Sequence, residues 1–155
     1  MKSHPLTLKI PPLALVVIFA VLMFIASALA GGSLELTLYR AVGIGVTLLL
    51  ACYFCLAGVL AFRKAQTTVN PMSPESSSQL VNTGVYRLSR NPMYVGFVFI
   101  LICWATYLGH TFLMLFIPAF MLYMNKFQIS AEEQALGKIF GQEYQTYMAT
   151  VRRWL

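Results

Sequence analysis

Two long apolar runs, about Pro11 to Ala30 and about Leu38 to Phe62, constrain this chain more than any other feature. At about 1.5 Å per helical residue, each can cross the roughly 30 Å hydrocarbon layer of a bilayer. Two shorter runs follow, about Met93 to Leu108 and about Thr111 to Asn125, with only Gly109-His110 between them. That spacing predicts a tight helical hairpin. The expected fold is an all-α integral membrane protein with about four transmembrane helices. With 59% of its 155 residues apolar and only 10% charged, the chain has no material for a separate soluble domain. Residues 1–155 read as a single membrane domain: 11–62 hold two N-terminal spans, 63–92 a cytoplasmic loop, and 93–155 the hairpin and a C-terminal helix. Any site must be built from loops and span ends.

A net charge of +6 raises the question of nucleic acid, but the basic residues flank the apolar runs, where they orient spans and meet anionic lipid heads. Lys2, Lys9, Arg63, Lys64, Arg87, Arg90, Lys126, Lys138, Arg152 and Arg153 fall on one side of the expected topology, and Arg40 alone on the other. The asymmetry predicts a multi-pass protein with both termini and the 63–91 loop cytoplasmic. The bilayer is the expected partner, and nucleic acid is not.

The N-terminus also imitates a secretory signal, with Lys2 and Lys9, an apolar core and Ala28-Leu-Ala30 before Gly31-Gly32. Its apolar run exceeds the usual signal core, which favours a true span. Cys52 and Cys55 form one Cys-x-x-Cys pair inside span two and Cys103 stands in span three. Without a second ligand pair they read as buried thiols, and no metal site is expected. Glycine-rich phosphate loops, zinc-protease patterns and a serine triad are absent from the sequence.

Polar chemistry concentrates in Leu80-Val-Asn-Thr-Gly-Val-Tyr-Arg-Leu-Ser-Arg-Asn-Pro-Met-Tyr-Val-Gly96, at the mouth of span three. The preceding stretch, Arg63 to Ser78, has two prolines and a serine run and reads either as a linker or as a segment that orders over a ligand. Val85 to Ser89 reads as a brief interfacial helix. Asn91-Pro92 is a good helix start, with Asn as cap and Pro at the next position. Exposed amides at a helix start also form an anion site, to which Arg90 adds a bidentate clamp. Tyr94 offers an aromatic face and a hydroxyl on the first turn, and Gly96 a lack of bulk. The same residues are equally readable as an interfacial Arg and Tyr belt with Gly96 aiding helix packing.

The hairpin bears on that choice. If spans three and four run the same distance in opposite directions, Asn125 and Lys126 return beside Arg90 and Tyr94, bringing Ser130-Ala-Glu-Glu133 into the same neighbourhood. Ser130 and Glu133 fit a capping box at the start of a last helix, which leaves Glu132 unexplained. Beyond them Leu136, Ile139, Phe140, Tyr144, Tyr147, Met148 and Val151 recur at helical spacing. They predict an amphipathic helix on the inner membrane face, with Lys138, Glu143, Arg152 and Arg153 on its wet side and Trp154 as an interfacial anchor.

Leu80-Val-x-x-Gly84-x-Tyr86, Arg90-x-Pro92-x-Tyr94-x-Gly96, Glu132-Glu133 and Phe140-Gly-x-Glu143-Tyr-x-x-Tyr147 together resemble the signature series of the isoprenylcysteine carboxyl methyltransferase family, which is related to membrane phospholipid methyltransferases. The match covers about the C-terminal half; the first two spans resemble family members only in hydrophobicity. The resemblance implies an S-adenosylmethionine-dependent methyltransferase that binds its cofactor on the cytoplasmic side and admits a lipophilic methyl acceptor from the bilayer. On that reading Tyr86, Arg90, Asn91, Pro92, Tyr94, Gly96, Glu132 and Glu133 form the cofactor site. Arg90 and the helix start would hold the cofactor carboxylate, Glu132 or Glu133 its ammonium or ribose hydroxyls, and Tyr86 and Tyr94 the adenosine or sulfonium side.

One departure limits the chemistry. The family pattern commonly has His where Asn91 stands, and Asn cannot titrate near neutrality. Asn91 is therefore expected to bind or position, not to act as a base. A carboxylate acceptor needs no base, whereas an amine acceptor must shed a proton, for which Glu132 could serve. Two other readings stay open on the sequence: a nicotinamide-dependent membrane reductase of sterol-reductase type, whose C-terminal core is similar but longer, and a non-enzymatic membrane scaffold.

Overall fold

The computed structural model describes residues 9–31, 35–66 and 78–155, and these are helical with no strand among them. Helix α1 (Pro12–Ala30) opens on a proline, whose missing amide hydrogen would have no partner in a first turn, and closes on Gly31 at φ 69°. Helix α2 spans Leu38–Lys64, helix α3 Pro92–Leu108. The third span turns at Gly109, with φ 84°, into a 3-10 turn over Thr111–Leu115, and the expected hairpin is present. Helix α4 (Phe116–Tyr123) follows directly. Pro118 falls in its first turn, where a tight start costs no backbone bond.

The return arm departs from expectation beyond Tyr123. It does not end near Asn125: a wide π turn over Met124–Ile129 carries it into helix α5 (Ser130–Phe140) without a break. The capping box is absent. Ile129 is already helical, and the Ser130 hydroxyl donates to the Asn125 carbonyl at 2.6 Å, one residue further back than an α-helical partner. The amphipathic tail is also not one helix. Gly141, at φ 51° and ψ −120°, separates α5 from α6 (Gln142–Thr150). The segment before α3 holds only a 3-10 turn, Gly84–Arg87, in place of the expected interfacial helix.

Among the described residues, three continuous helices are long and apolar enough to cross a membrane: Pro12–Ala30, Leu38–Lys64 and Thr111–Phe140. Helix α3 is apolar but has 17 residues, about 25 Å at 1.5 Å each. It is the axis of the fold. One of its faces presents Tyr94, Leu101, Ala105 and Leu108 to Leu15, Val16 and Met23 of α1 and to Leu113, Ile117, Phe120, Met124 and Ile129 of the return arm. The other face, through Val95, joins Phe54 of α2, Val81, Val85, Tyr86, Tyr144 and Tyr147 in a second cluster. Trp154 packs on both clusters. Most of the 63–78 segment, Lys2 and part of the Gly31-Gly32 pair lie outside the described residues, so the lid and signal readings fall there too.

Close approach of α2 and α3 depends on missing side chains. A Cβ on Gly96 would lie 2.4 Å from Cys55 Sγ and 3.1 Å from the Ala51 carbonyl oxygen, and one on Gly58 would lie 2.5 Å from Met93 Cγ. The thiols of Cys55 and Cys103 face the carbonyls of Met93 and Ile44 across this contact. At the hairpin end, Arg40 reaches from α2 to the last carbonyls of α3: Nε donates to Thr106 at 3.2 Å and Nη2 to Tyr107 at 2.6 Å. A cation there satisfies carbonyls that the helix leaves open and opposes its C-terminal dipole.

Gly96→Val should therefore lower the melting temperature of the detergent-solubilised protein, at an overpacking cost of about 1–3 kcal/mol. Gly45→Ala is the control, because an added Cβ there meets nothing within 4 Å. Arg40→Ala should cost about 1–3 kcal/mol by orphaning the α3 carbonyls. Wild-type melting of either Gly96→Val or Arg40→Ala would contradict this account.

Candidate functional site

The turn before α3 is built around Ser89, which is fully buried. Its hydroxyl accepts the Asn91 amide hydrogen at 3.0 Å and donates to the Arg153 carbonyl at 3.1 Å. Asn91 does not cap α3 with its side chain; its Nδ2 donates instead to the same Arg153 carbonyl at 2.9 Å. The Arg90 amide donates to the Arg152 carbonyl, also at 2.9 Å. Residues 89–91 are thus joined to residues 152–153 of the C-terminal strap, 151–153, by one backbone bond and two side-chain bonds. Pro92, fully buried, starts the helix below them.

Arg90 turns its guanidinium into this junction. Its Nη1 donates to the carbonyls of Met148 at 3.0 Å and Val151 at 2.8 Å, closing the C-terminal end of α6, and its Nη2 donates to Glu133 Oε1 at 2.7 Å. Its Nε is buried and has no partner among the described residues. Glu133 is gripped from the other side by Arg153, whose Nε donates to Oε1 at 3.0 Å and Nη2 to Oε2 at 2.5 Å. The side chain of Glu133 is 14% exposed, against 12% for Arg90 and 33% for Arg153. The hydrogen bonds it donates to Glu133, together with the carboxylate's charge, hold the Arg153 guanidinium above its already high range. Expected on the wet side of a helix, Arg153 instead turns inward, because α6 ends at Thr150 and helical facing does not extend to it. Trp154 is tied as well: its Nε1 donates to Asn125 Oδ1 at 3.1 Å.

Glu132 enters a second, adjoining network. Tyr94 donates its hydroxyl to Glu132 Oε1 at 2.5 Å, and Gln128 Nε2 donates to the same oxygen at 2.6 Å. Tyr94 and Gln128 are both buried. The π turn explains how consecutive glutamates serve two networks: one extra residue rotates the downstream face by about 100°, so that α5 meets both α3 and the strap. Tyr86 is buried under this assembly; its carbonyl accepts the Tyr147 hydroxyl at 2.7 Å and its ring meets Phe62 edge-on at 5.4 Å. Burial pushes the Tyr86, Tyr144 and Tyr147 hydroxyls well above the usual phenol range, so all three stay neutral. An open groove of about 460 Å³ on the outer side of Tyr147 and Val151 is flanked by Arg87, Glu143, Thr146 and Thr150.

The structure brings Arg90, Asn91, Tyr94, Glu132 and Glu133 together, with Tyr86 and Pro92 in the wall. It does not bring Gly96 there; that glycine faces α2. Ser89, Asn125, Gln128 and Arg153 complete the cluster and carry no motif of their own in the sequence. Among the described residues, no group of three or more His, Cys, Asp and Glu is placed to hold a metal ion.

An uncharacterised protein of Haemophilus influenzae strain Rd is 43% identical over 63 residues, 41% of this chain and 100% of that protein. No solved structure matches. The phospholipid methyltransferase family matches residues 38–143. That range runs from the first residue of α2 into α6 and takes in both the Arg90 turn and the glutamate pair. It is a family of membrane methyltransferases acting on lipid and includes isoprenylcysteine carboxyl methyltransferase-like proteins. With its apolar helices and with most of its length inside the match, this chain belongs to the phospholipid methyltransferase family.

Proposed function

We propose that this chain is an S-adenosylmethionine-dependent methyltransferase that modifies a lipophilic acceptor, an isoprenylcysteine-type carboxylate or another lipid, at the cytoplasmic face of the membrane. The observation that carries the reading is the Arg90 Nε–H, buried and without a partner among the described residues, beside the Glu133 carboxylate. A buried charged donor without a partner is costly, and a ligand carboxylate would satisfy it. Glu132 or Glu133 suits the other polar groups of an amino-acid-bearing cofactor, an ammonium or ribose hydroxyls. The residues present therefore fit the cofactor. Orientation follows from the basic residues flanking the spans, ten on the side of this cluster and Arg40 on the other.

A bound sulfonium donor supplies an electrophilic methyl group. The protein's part is then to bind, align and keep out water. Arg90 binds the carboxylate end. Tyr94, its hydroxyl held by Glu132, presents an aromatic wall that tolerates positive charge. Asn91 cannot titrate and takes no proton; it holds the strap through the Arg153 carbonyl. Glu132 could serve as the base if the acceptor is an amine. A carboxylate acceptor needs none.

Calorimetric titration of the detergent-purified protein with S-adenosylmethionine tests the proposal. Wild type should bind, and Arg90→Ala should weaken binding by roughly tenfold or more, the loss expected for a charged hydrogen bond. Glu132→Ala should weaken it as well. A folded wild-type sample that takes up no S-adenosylmethionine would refute the reading, and uptake of a reduced nicotinamide cofactor in its place would favour a reductase.

A further inference from the structure

Arg153 lies ten residues beyond the family match, which ends at 143, yet it bonds to Ser89, Asn91, Asn125 and Glu133 of the polar cluster. Resting on the proposed cofactor site, we infer that Arg153 is a positioning residue for it: by its two-pronged grip on Glu133, the C-terminal strap sets the rotamer from which Glu133 aligns the Arg90 guanidinium.

The geometry supports an action through Glu133. The Arg153 guanidinium donates through Nε and Nη2 to both Glu133 oxygens, at 3.0 and 2.5 Å, which fixes the plane of the carboxylate. The oxygen that takes the Arg153 Nε also takes Arg90 Nη2, at 2.7 Å. Among the described residues the Arg90 guanidinium is otherwise bonded to two α6 and strap carbonyls, Met148 and Val151, on Nη1. The Nη2 bond therefore decides how the guanidinium is rotated about that attachment, and with it where the free Nε–H points. The position of Arg153 is in turn overdetermined. Its carbonyl takes bonds from Ser89 and Asn91, its Nη1 lies 3.4 Å from Asn125 Oδ1, and the next residue, Trp154, bonds the same oxygen at 3.1 Å. The turn before α3, the π turn and α5 are thereby tied to one residue, the turn through its carbonyl and the other two through its guanidinium.

Arg153 touches no reacting group, so its effect should appear in cofactor affinity rather than in the chemical step. The test is calorimetric titration of the full chain in detergent with S-adenosylhomocysteine, which has the same carboxylate end and does not react, alongside melting temperature. Arg153→Ala should raise Kd by roughly 10–100-fold, as loss of a supporting residue behind a ligand-binding group commonly does. Arg153→Lys keeps the charge but not the fork and should recover only part of the loss. In methyl-transfer assays the KM for S-adenosylmethionine should rise more than kcat falls. In a Glu133→Gln background, adding Arg153→Ala should cost less than about twofold more, because the route is already broken. Lys138→Ala, which removes an exposed charge from α5, should leave Kd as in wild type.

An Arg153→Ala protein that binds within about twofold of wild type overturns the inference, as does a full additional loss in the Glu133→Gln background. If Arg153→Ala fails to fold, Arg153→Lys decides: a weakened Kd at the wild-type melting temperature supports the inference, and an unchanged Kd overturns it. A folded wild type that binds nothing refutes the cofactor site itself, an outcome the wild-type titration separates from the others.

Discussion

Glu133 between Arg90 and Arg153 is the interaction on which the site geometry depends. Two guanidiniums share one carboxylate, all within a region largely closed to water. Breaking a buried pair by removing one partner costs about 3–5 kcal/mol, mostly because the survivor is left charged and unpaired. The exposure of Arg153, 33% against 12% for Arg90, puts the greater part of that cost on the Arg90 side. The charges also do not cancel. Within this triad, Glu132 lying in the adjoining network, one negative stands against two positives, which suits an anionic group of a ligand.

This cluster is held in place by α3. Its first turn carries Tyr94 toward the return arm and Val95 toward α2, so a single helix divides the apolar interior into two packed regions and puts the polar residues where they meet. The Gly96 contact with α2 and the Arg40 contact with the far end of α3 pin that helix at both ends. Trp154, packed on both regions, pins the strap to them.

Much of this was legible in the sequence, for physical reasons. Two short apolar runs separated by Gly109-His110 can only fold back on each other, and equal arms return Glu132 and Glu133 to Arg90 and Tyr94. The limits were equally physical. Ser130 and Glu133 satisfy a capping pattern that does not distinguish a helix start from a helix interior, and the π turn that makes it an interior has no composition of its own. Gly96 fitted both a site and a packing contact, and only the neighbouring Cys55 decides between them. Arg153 was assigned by helical facing to the water side. Facing has no meaning one turn past the end of a helix, and a strap residue can point either way.

The π turn at Met124–Ile129 gives this protein an unusual relation to insertions and deletions. Deleting one residue from it would relax the wide turn into ordinary α-helix, a change that improves local backbone bonding. The same deletion would swing α5 through about 100° and draw it in by one residue, parting Glu132 from Tyr94 and Glu133 from both arginines at once. Chain length across these six residues is thus a coordinate of the site, set against the helix's own preference. A shorter relative would have to restore the register elsewhere in the return arm or give up the paired networks.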